Sequence, residues 1–140
     1  MTTPNPDDAA IRHALSRARA IAVVGISDRP DRPSHGVAAY LKAAGYRIIP
    51  VNPALAGRSV LGERCFASLP EIGRGVDIID VFRRAEALPD LMGDALRIEA
   101  PLIWLQLGIV NEEAAARARA AARTVVQDLC IKIEHARLLR

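Results

Sequence analysis

Short apolar runs alternate along the chain with longer amphipathic segments. The apolar runs are strand-length, and we predict strands over residues 21–25, 47–51, 64–66, 76–82, 102–107 and 124–127. The first run is apolar throughout, which is typical of a strand covered on both faces in a parallel sheet. The intervening segments carry apolar residues at helical spacing, and we predict helices over residues 7–19, 36–44, 68–72, 87–98, 112–123 and 132–140.

The predicted strands and helices follow one another over short connections. We expect the hydroxyl of Ser34 to cap the second helix and Gly45 to end it. Strands that alternate with helices in this way imply right-handed crossovers and a parallel sheet with helices on both faces. The predicted fold is therefore α/β, a Rossmann-like doubly wound sheet that forms a single domain over residues 1–140.

Composition narrows the classes of function. About half of the 140 residues are apolar, yet no apolar run approaches the roughly 20 residues of a membrane-spanning helix. The start of the chain lacks a secretory signal, so we expect a cytoplasmic protein with no membrane partner. Cys65 and Cys130 lie far apart, which favours free thiols over a zinc site. The net charge of +3 comes from dispersed arginines, which argues against nucleic acid and suits an anionic small molecule.

The loop after the first strand is the most informative candidate site. In an open parallel sheet, ligands bind outside the carboxyl ends of the strands. Gly25 allows a tight turn there, Gly36 lies at the start of the next helix, and Arg29 and Arg32 add positive charge for a phosphate. The dinucleotide fingerprint is incomplete because Ser27 occupies the position of its second glycine. An ordinary strand-to-helix turn is the alternative.

The ends of later strands are polar as well. Asn52 and Pro53 stand where an NAD site presents an acidic residue, although Asn52 is also a typical turn residue before proline. Arg83 and Arg84 follow the fourth predicted strand and are candidate ligand cations, unless one of them pairs with Glu86. Asp77 and Asp80, within that strand, are expected to be hydrogen-bonded or strand-end carboxylates rather than metal ligands.

No nucleophile lies beside a base in the sequence, as enzymatic group transfer requires. We expect structural or solvated roles for His13, His35 and His135. Ser27 lacks the closing glycine of a nucleophile elbow. Cys130 is expected to be a buried, inert thiol, with a place near the ligand as the alternative. The sequence therefore predicts a binding module that is not an enzyme.

Several motifs together resemble the bacterial single-domain CoA-binding proteins. They are IAVVGIS at residues 21–27, SHGV at 34–37, IPVNP at 49–53, DIIDVFRR at 77–84, WLQLG at 104–108 and CIKIE at 130–134. That family is similar to the N-terminal CoA-binding domain of the succinyl-CoA synthetase α subunit, which implies strand order 3-2-1-4-5-6. The synthetase's phosphorylated histidine belongs to a further domain, so we do not expect the ligase activity here.

The resemblance implies that the ligand is coenzyme A or an acyl-CoA and that its phosphates and adenosine bind at the first loop. With the two loop arginines, the candidate binding residues are Gly25, Ile26, Ser27, Arg29, Arg32, Ser34, Gly36, Val37, Asn52, Pro53, Phe82, Arg83, Gln106 and Gly108. An NAD(P)-dependent oxidoreductase and a nucleotide-responsive regulatory domain are the alternative functions. The sequence does not identify a protein partner.

Overall fold

A five-stranded parallel sheet forms the centre of the protein, in a computed structural model that describes residues 3–139. Its strands are β1 (Ala20–Val24), β2 (Arg47–Val51), β5 (Ile78–Val81), β6 (Leu102–Leu105) and β7 (Thr124–Val126). Two shorter strands, β3 (Ser59–Val60) and β4 (Glu63–Arg64), form a separate antiparallel hairpin. The spatial order in the main sheet is β2-β1-β5-β6-β7. The predicted α/β class with a parallel sheet is therefore confirmed.

Five α-helices cover the two faces of the sheet. They are α1 (Asp8–Arg17), α2 (Pro33–Ala43), α3 (Leu88–Ala95), α4 (Glu112–Ala120) and α5 (Ile131–Leu139). Apolar residues of α1, α2 and α5 pack on the face that carries Ile21 and Val23, whereas those of α3 and α4 pack on the face that carries Ala22 and Val24. Alternate residues of each strand thus enter opposite halves of the core, as the period of a strand requires. None of the helices in the described part is long and apolar enough to cross a bilayer.

The prediction of a third strand over residues 64–66 is wrong. The β4 strand instead pairs with β3 in the hairpin, and only Phe66 reaches the main sheet. Its N–H donates to the Pro50 carbonyl at 3.0 Å and its carbonyl accepts from the Asn52 N–H at 2.9 Å. A single bridge therefore replaces the outer strand that the order 3-2-1-4-5-6 requires, because local hairpin pairing occupies the rest of the segment.

The start of α2 also differs from the prediction. The helix begins at Pro33, and Arg32 is its N-cap without any side-chain capping bond. Proline is well suited to the first helical position, since its φ is already helical and the N–H that it lacks has no partner there. Ser34 is therefore inside the first turn, and its Oγ accepts a hydrogen bond from the Ser27 N–H at 3.0 Å. Gly45, with φ of +106°, follows the end of the helix.

The ends of other helices and strands differ from the predicted ends by a few residues. The helices predicted over residues 87–98 and 112–123 are shorter at their C-termini, and the helix predicted over 68–72 is a single 3-10 turn, Pro70–Ile72. The strands predicted over 76–82 and 102–107 are limited to β5 and β6. Residues 1, 2 and 140, which the domain and tail predictions include, lie outside the described residues.

Candidate functional site

Three cavities adjoin one another at the carboxyl ends of the central strands. The loop cavity has a volume of about 440 Å³ and is lined by Gly25, Ser27, Arg29, Arg32, Pro33, Ser34 and Phe82. The edge cavity, of about 710 Å³, extends from Pro33 and Val37 past Phe82, Arg83 and Gln106 to Cys130. The outer cavity, of about 290 Å³, lies on the other side of Arg83 and includes Pro53. Phe82 lines the first two cavities and Arg83 the last two, so the three form one continuous region.

The first loop passes close against the end of β5. Gly25 has φ of +83°, and a Cβ built there would lie 2.4 Å from the Phe82 carbonyl oxygen. The Gly25 N–H also donates to the Val51 carbonyl at 2.8 Å. Only glycine fits this position, because both the backbone conformation and the close approach exclude a side chain. Gly25 thereby allows the loop, β2 and β5 to meet where the cavities begin.

Hydrogen bonds within the loop fix its shape. The Arg29 N–H donates to the Ser27 Oγ at 3.1 Å, while the Ser27 N–H donates to Ser34. Asn52 fastens the loop to the end of β2, since its Nδ2 donates to the Ile26 carbonyl at 2.8 Å. The Asn52 Oδ1 accepts from the Ala54 N–H at 2.9 Å. Both polar atoms of the Asn52 side chain are thus bonded to backbone, and the loop is organised without any ligand.

Positive charge gathers around the loop and edge cavities. Within residues 3–139, the side chains of Arg32, Arg83 and Arg84 form no ion pair or hydrogen bond. The alternative pairing of Arg83 or Arg84 with Glu86 therefore does not occur, although Glu86 lines the edge cavity. Arg29 forms one exposed ion pair with Asp31, at 3.5 Å. Exposed pairs of this kind are weak, so the site keeps cationic groups that can meet phosphate oxygens.

The edge cavity adds a buried amide and a thiol. Gln106 is only 4% exposed, and its Oε1 accepts from the Ile131 N–H at 3.0 Å. Its Nε2 has no protein hydrogen-bond partner in the described part of the chain and keeps access to solvent in the cavity. Cys130 is partly exposed and lines the same cavity, so the expectation that it is buried is wrong. Cys65, by contrast, is buried, and burial raises the pKa of its thiol.

Comparison with known proteins agrees with this arrangement. The sequence model of the family described as "CoA binding domain" matches residues 19–136, which contain all three cavities. The chain belongs to this family of CoA-binding domains. The family resemblance predicted from the sequence motifs is therefore confirmed.

Relatives of this CoA-binding domain share its length. The uncharacterised protein YneT of Bacillus subtilis (strain 168) is 49% identical over 132 residues, which are 94% of this chain and 96% of that protein. Among solved structures, cell-free ID.343 from Thermus thermophilus is 42% identical with a TM-score of 0.93, covering 96% of this chain and all of its own. A hypothetical protein from Pyrococcus horikoshii OT3 is 33% identical over the full length of both chains, with a TM-score of 0.91.

The CoA-binding domain brings most of the candidate residues to the three cavities. Three of them do not line any of these cavities. Ile26 is fully buried in the core, Asn52 is bonded to backbone, and Gly36 has no atom within 4 Å of the position that a Cβ would take. Gly108, with φ of +83°, turns the chain at the edge cavity, and its N–H donates to the Asp128 carboxylate at 2.7 Å.

Sequence reasoning did not find the apolar wall of the edge cavity. Leu107, Ile109 and Ile133 line it, and Leu107 and Ile133 are largely exposed. In the sequence these residues are indistinguishable from core positions, because they lie at strand or helix spacing among other apolar residues. Only the packing of α5 against the end of β6 shows that they are exposed at the cavity instead.

The carboxylates of the fourth predicted strand have different environments. Asp77 accepts hydrogen bonds from the Arg19 and Ala20 N–H groups at 2.9 Å each, as expected for a strand-end carboxylate. Asp80 is completely buried and has no hydrogen-bond partner, so the expectation of a bonded or strand-end carboxylate is wrong for it. Burial raises its pKa well above the ordinary value. No cluster of three or more potential metal-ligating side chains occurs among residues 3–139.

The histidines lie away from the three cavities. His13 is exposed on α1 and His35 is half-buried on α2. His135 is buried on α5, where its Nδ1 is hydrogen-bonded to the Tyr40 hydroxyl at 2.9 Å. None of these three side chains lines the loop, edge or outer cavity.

Proposed function

We propose that this domain binds coenzyme A or an acyl-CoA in the loop and edge cavities and performs no chemistry on it. The observation that carries the proposal is the continuity of the two cavities at Phe82, with Arg29 and Arg32 lining the loop cavity and Arg83 and Arg84 lining the edge cavity. A CoA molecule has its phosphates at one end and its thiol at the end of a long, uncharged arm. The distribution of charge along the two cavities suits such a molecule.

The phosphates bind at the loop cavity in this proposal. Arg29 and Arg32 supply mobile cations there, and the N-terminus of α2 adds the positive end of a helix dipole. Two backbone N–H groups of the loop, those of Ser27 and Arg29, are already bonded to serine hydroxyls. The arginine side chains are therefore the main phosphate donors that we propose.

The proposal of a non-catalytic role rests on the polar groups at the site. Ser27 Oγ accepts a hydrogen bond from the Arg29 N–H and has no base beside it within the described residues. The Cys130 thiol likewise has no acidic or basic hydrogen-bond partner there. A nucleophile without an adjacent base is poorly activated. The two free thiols also suit the reducing cytoplasm, where we propose that the domain acts.

The experiment is calorimetric titration of the purified protein with CoA, acetyl-CoA, NAD and NADP. We expect CoA or acetyl-CoA to bind more tightly than either dinucleotide, because no carboxylate follows β2 and Asn52 is bonded to backbone. In the double variant Arg29→Ala with Arg32→Ala, affinity should fall about 10- to 100-fold, since hydrogen bonds to charged groups typically contribute roughly 1.5 to 3 kcal/mol.

A second double variant controls for net charge. Arg17→Ala with Arg47→Ala also removes two positive charges, but from exposed positions at the amino ends of the strands, where α1 ends and β2 begins. It should bind CoA like the parent protein. If NAD binds as tightly as CoA, or if both double variants lose affinity equally, the proposed site is wrong. Turnover of acetyl-CoA that scales with protein concentration would contradict the non-catalytic role.

A further inference from the structure

The edge cavity has an exposed apolar rim. Leu107 is 65% exposed and Ile133 is 57% exposed, and both side chains line this cavity. In the described part of the chain, Val110 is the one other large apolar residue that is exposed, at 39%, and it does not line the cavity. Exposed apolar area costs free energy in water, and a ligand that covers it recovers that free energy.

The rim belongs to a wall that is apolar on several sides. Val37 of α2, Phe82 after β5 and Ile109 after β6 complete this wall. Pro33 and Phe82 also line the loop cavity, so a bound molecule can extend from the arginines of that cavity into the edge cavity. Arg83, Arg84 and Glu86, which follow Phe82 in the sequence, line the edge cavity as well.

A hydrogen-bond donor without a protein partner lies in the same wall. The Gln106 Nε2 has no partner among residues 3–139, whereas the Oε1 of the same side chain is fixed by the Ile131 N–H at 3.0 Å. The fixed oxygen holds the amide in one orientation. The amide N–H groups are therefore free to donate into the cavity, and a ligand carbonyl oxygen would supply an acceptor.

We propose that the edge cavity binds the acyl chain of an acyl-CoA, with Leu107 and Ile133 against the chain and Gln106 donating to a ligand carbonyl. This inference rests on the proposed function, in which the phosphates of the same molecule occupy the loop cavity. Free CoA ends in a small thiol and leaves most of the apolar rim uncovered. An acyl chain of several carbons covers it, so the physiological ligand class is acyl-CoA with an apolar acyl group.

The test is a titration series with CoA and its acetyl, butyryl, hexanoyl and octanoyl thioesters. Each fully buried methylene group strengthens binding about fourfold. Because the rim is only partly enclosed, we expect octanoyl-CoA to bind at least about tenfold more tightly than CoA. The variants Leu107→Ser and Ile133→Ser should reduce this gain by a larger factor than they reduce the affinity for CoA itself. Both residues are exposed, so neither change should affect folding.

Val110→Ser is the matched control, since it removes an exposed apolar side chain outside the cavity. It should keep the parent's dependence on acyl length. Equal affinities for CoA and all its thioesters would overturn the inference while leaving the proposed function intact. Failure of every CoA compound to bind would overturn both. A parent protein that is a dimer by light scattering, and becomes a monomer in Leu107→Ser, would assign the rim to a second copy of the chain and also overturn the inference.

Discussion

Asp80 is the one carboxylate in the described residues that is buried without a hydrogen-bond partner. Its strand neighbours in register are Val23 on β1 and Trp104 on β6, which belong to the same half of the core. A buried carboxylate without a partner strongly disfavours the charged form. Burial therefore raises the pKa of Asp80 well above its ordinary value of 3.8. At pH values between the unfolded and the folded pKa, the folded protein therefore holds a proton at this position that the unfolded chain releases.

This difference predicts how Asp80 affects stability at different pH values. The pKa of Asp80 is higher in the folded than in the unfolded state. Its protonated form therefore contributes fully to the free energy of unfolding below about pH 4, and this contribution is lost as the pH rises through the folded-state pKa. Asp80→Asn cannot ionise, so its stability relative to the parent should increase with pH over that window. Chemical unfolding of both proteins between about pH 4 and pH 8 measures the effect.

Asp77→Asn, on the same segment, is the control for this experiment. It changes a carboxylate that accepts two backbone hydrogen bonds but leaves Asp80 in place. Because the variant keeps Asp80, it should retain the fall in stability with rising pH that Asp80 causes. A constant difference between Asp80→Asn and the parent across the whole range would show that Asp80 does not bind a proton in the folded protein.

Gly36 provides a test that separates binding from stability. It lies in the first turn of α2, where a Cβ would have no atom within 4 Å. Gly36→Ala should therefore stabilise the free protein by roughly 0.5–1 kcal/mol, since alanine is the better helix former. Because Gly36 lines none of the three cavities, the affinity for CoA should stay unchanged. Thermal melting and calorimetry measure the two effects.

Gly93→Ala is the corresponding control in α3. The nearest atom to a Cβ there is the Arg117 guanidinium, at 3.7 Å, which is an ordinary contact. We expect a similar gain in stability with unchanged affinity for CoA. A loss of affinity in Gly36→Ala but not in Gly93→Ala would mean that the ligand extends beyond the three cavities to the outer face of the first turn of α2.

The helices and strands themselves were largely predictable, because each buries an apolar stripe whose period is visible in the chain. The start of α2 was predicted wrongly because two residues offer a start signal, Pro33 as a first helical residue and the Ser34 hydroxyl as a cap, and the helix begins at Pro33. The outer strand was predicted wrongly, because β4 pairs with β3 and only Phe66 pairs with β2. Which of these two partners is used depends on tertiary structure and not on the local sequence. At the site, Gly25 and the arginines were predicted from local chemistry. The exposure of Leu107 and Ile133 depends on how α5 packs, which no local pattern encodes.

Asn52 connects two elements that form the site, the end of β2 and the first loop. Asn52→Ala removes the hydrogen bonds to the Ile26 carbonyl and the Ala54 N–H. We expect a loss of roughly 1–3 kcal/mol in the free energy of unfolding, because the bond to the Ile26 carbonyl is partly buried. Affinity for CoA should also fall, since the loop must then be ordered at the time of binding. Denaturant unfolding and calorimetry test both expectations.

Asn5→Ala is the matched control for Asn52→Ala. The Asn5 side chain also makes two hydrogen bonds to backbone, donating to the Gln127 carbonyl and accepting from the Gln127 N–H, each at 2.8 Å. Its loss should lower stability without changing the affinity for CoA. If both variants bind CoA like the parent, the first loop keeps its shape without Asn52 and the proposed pre-organisation is wrong.

The two ends of the sheet differ in a way that predicts where a ligand slows backbone exchange. At the amino ends, neighbouring segments are bonded directly to one another, as in the Val76 N–H donating to the Glu99 carbonyl and the Thr124 N–H donating to the Pro101 carbonyl. At the carboxyl ends, backbone hydrogen bonds such as that from the Phe82 N–H to the Val24 carbonyl are also present, but the loops beyond them surround the three cavities. A ligand that binds only the folded form should therefore affect mainly the second set of loops.

Hydrogen exchange with and without CoA measures this asymmetry across the molecule. We expect slower exchange over residues 25–36, 82–87, 106–109 and 128–133, by up to about a hundredfold at a hundredfold excess of ligand over its dissociation constant. The loops over residues 43–46, 97–101 and 120–123 serve as the internal control and should exchange at the same rate in both samples. Acyl-CoA should slow residues 106–109 and 128–133 further than CoA does, because the acyl chain would cover Leu107 and Ile133. Slower exchange confined to the region of Tyr40 and His135, which border a separate cavity between α2 and α5, would instead place the ligand outside the proposed site.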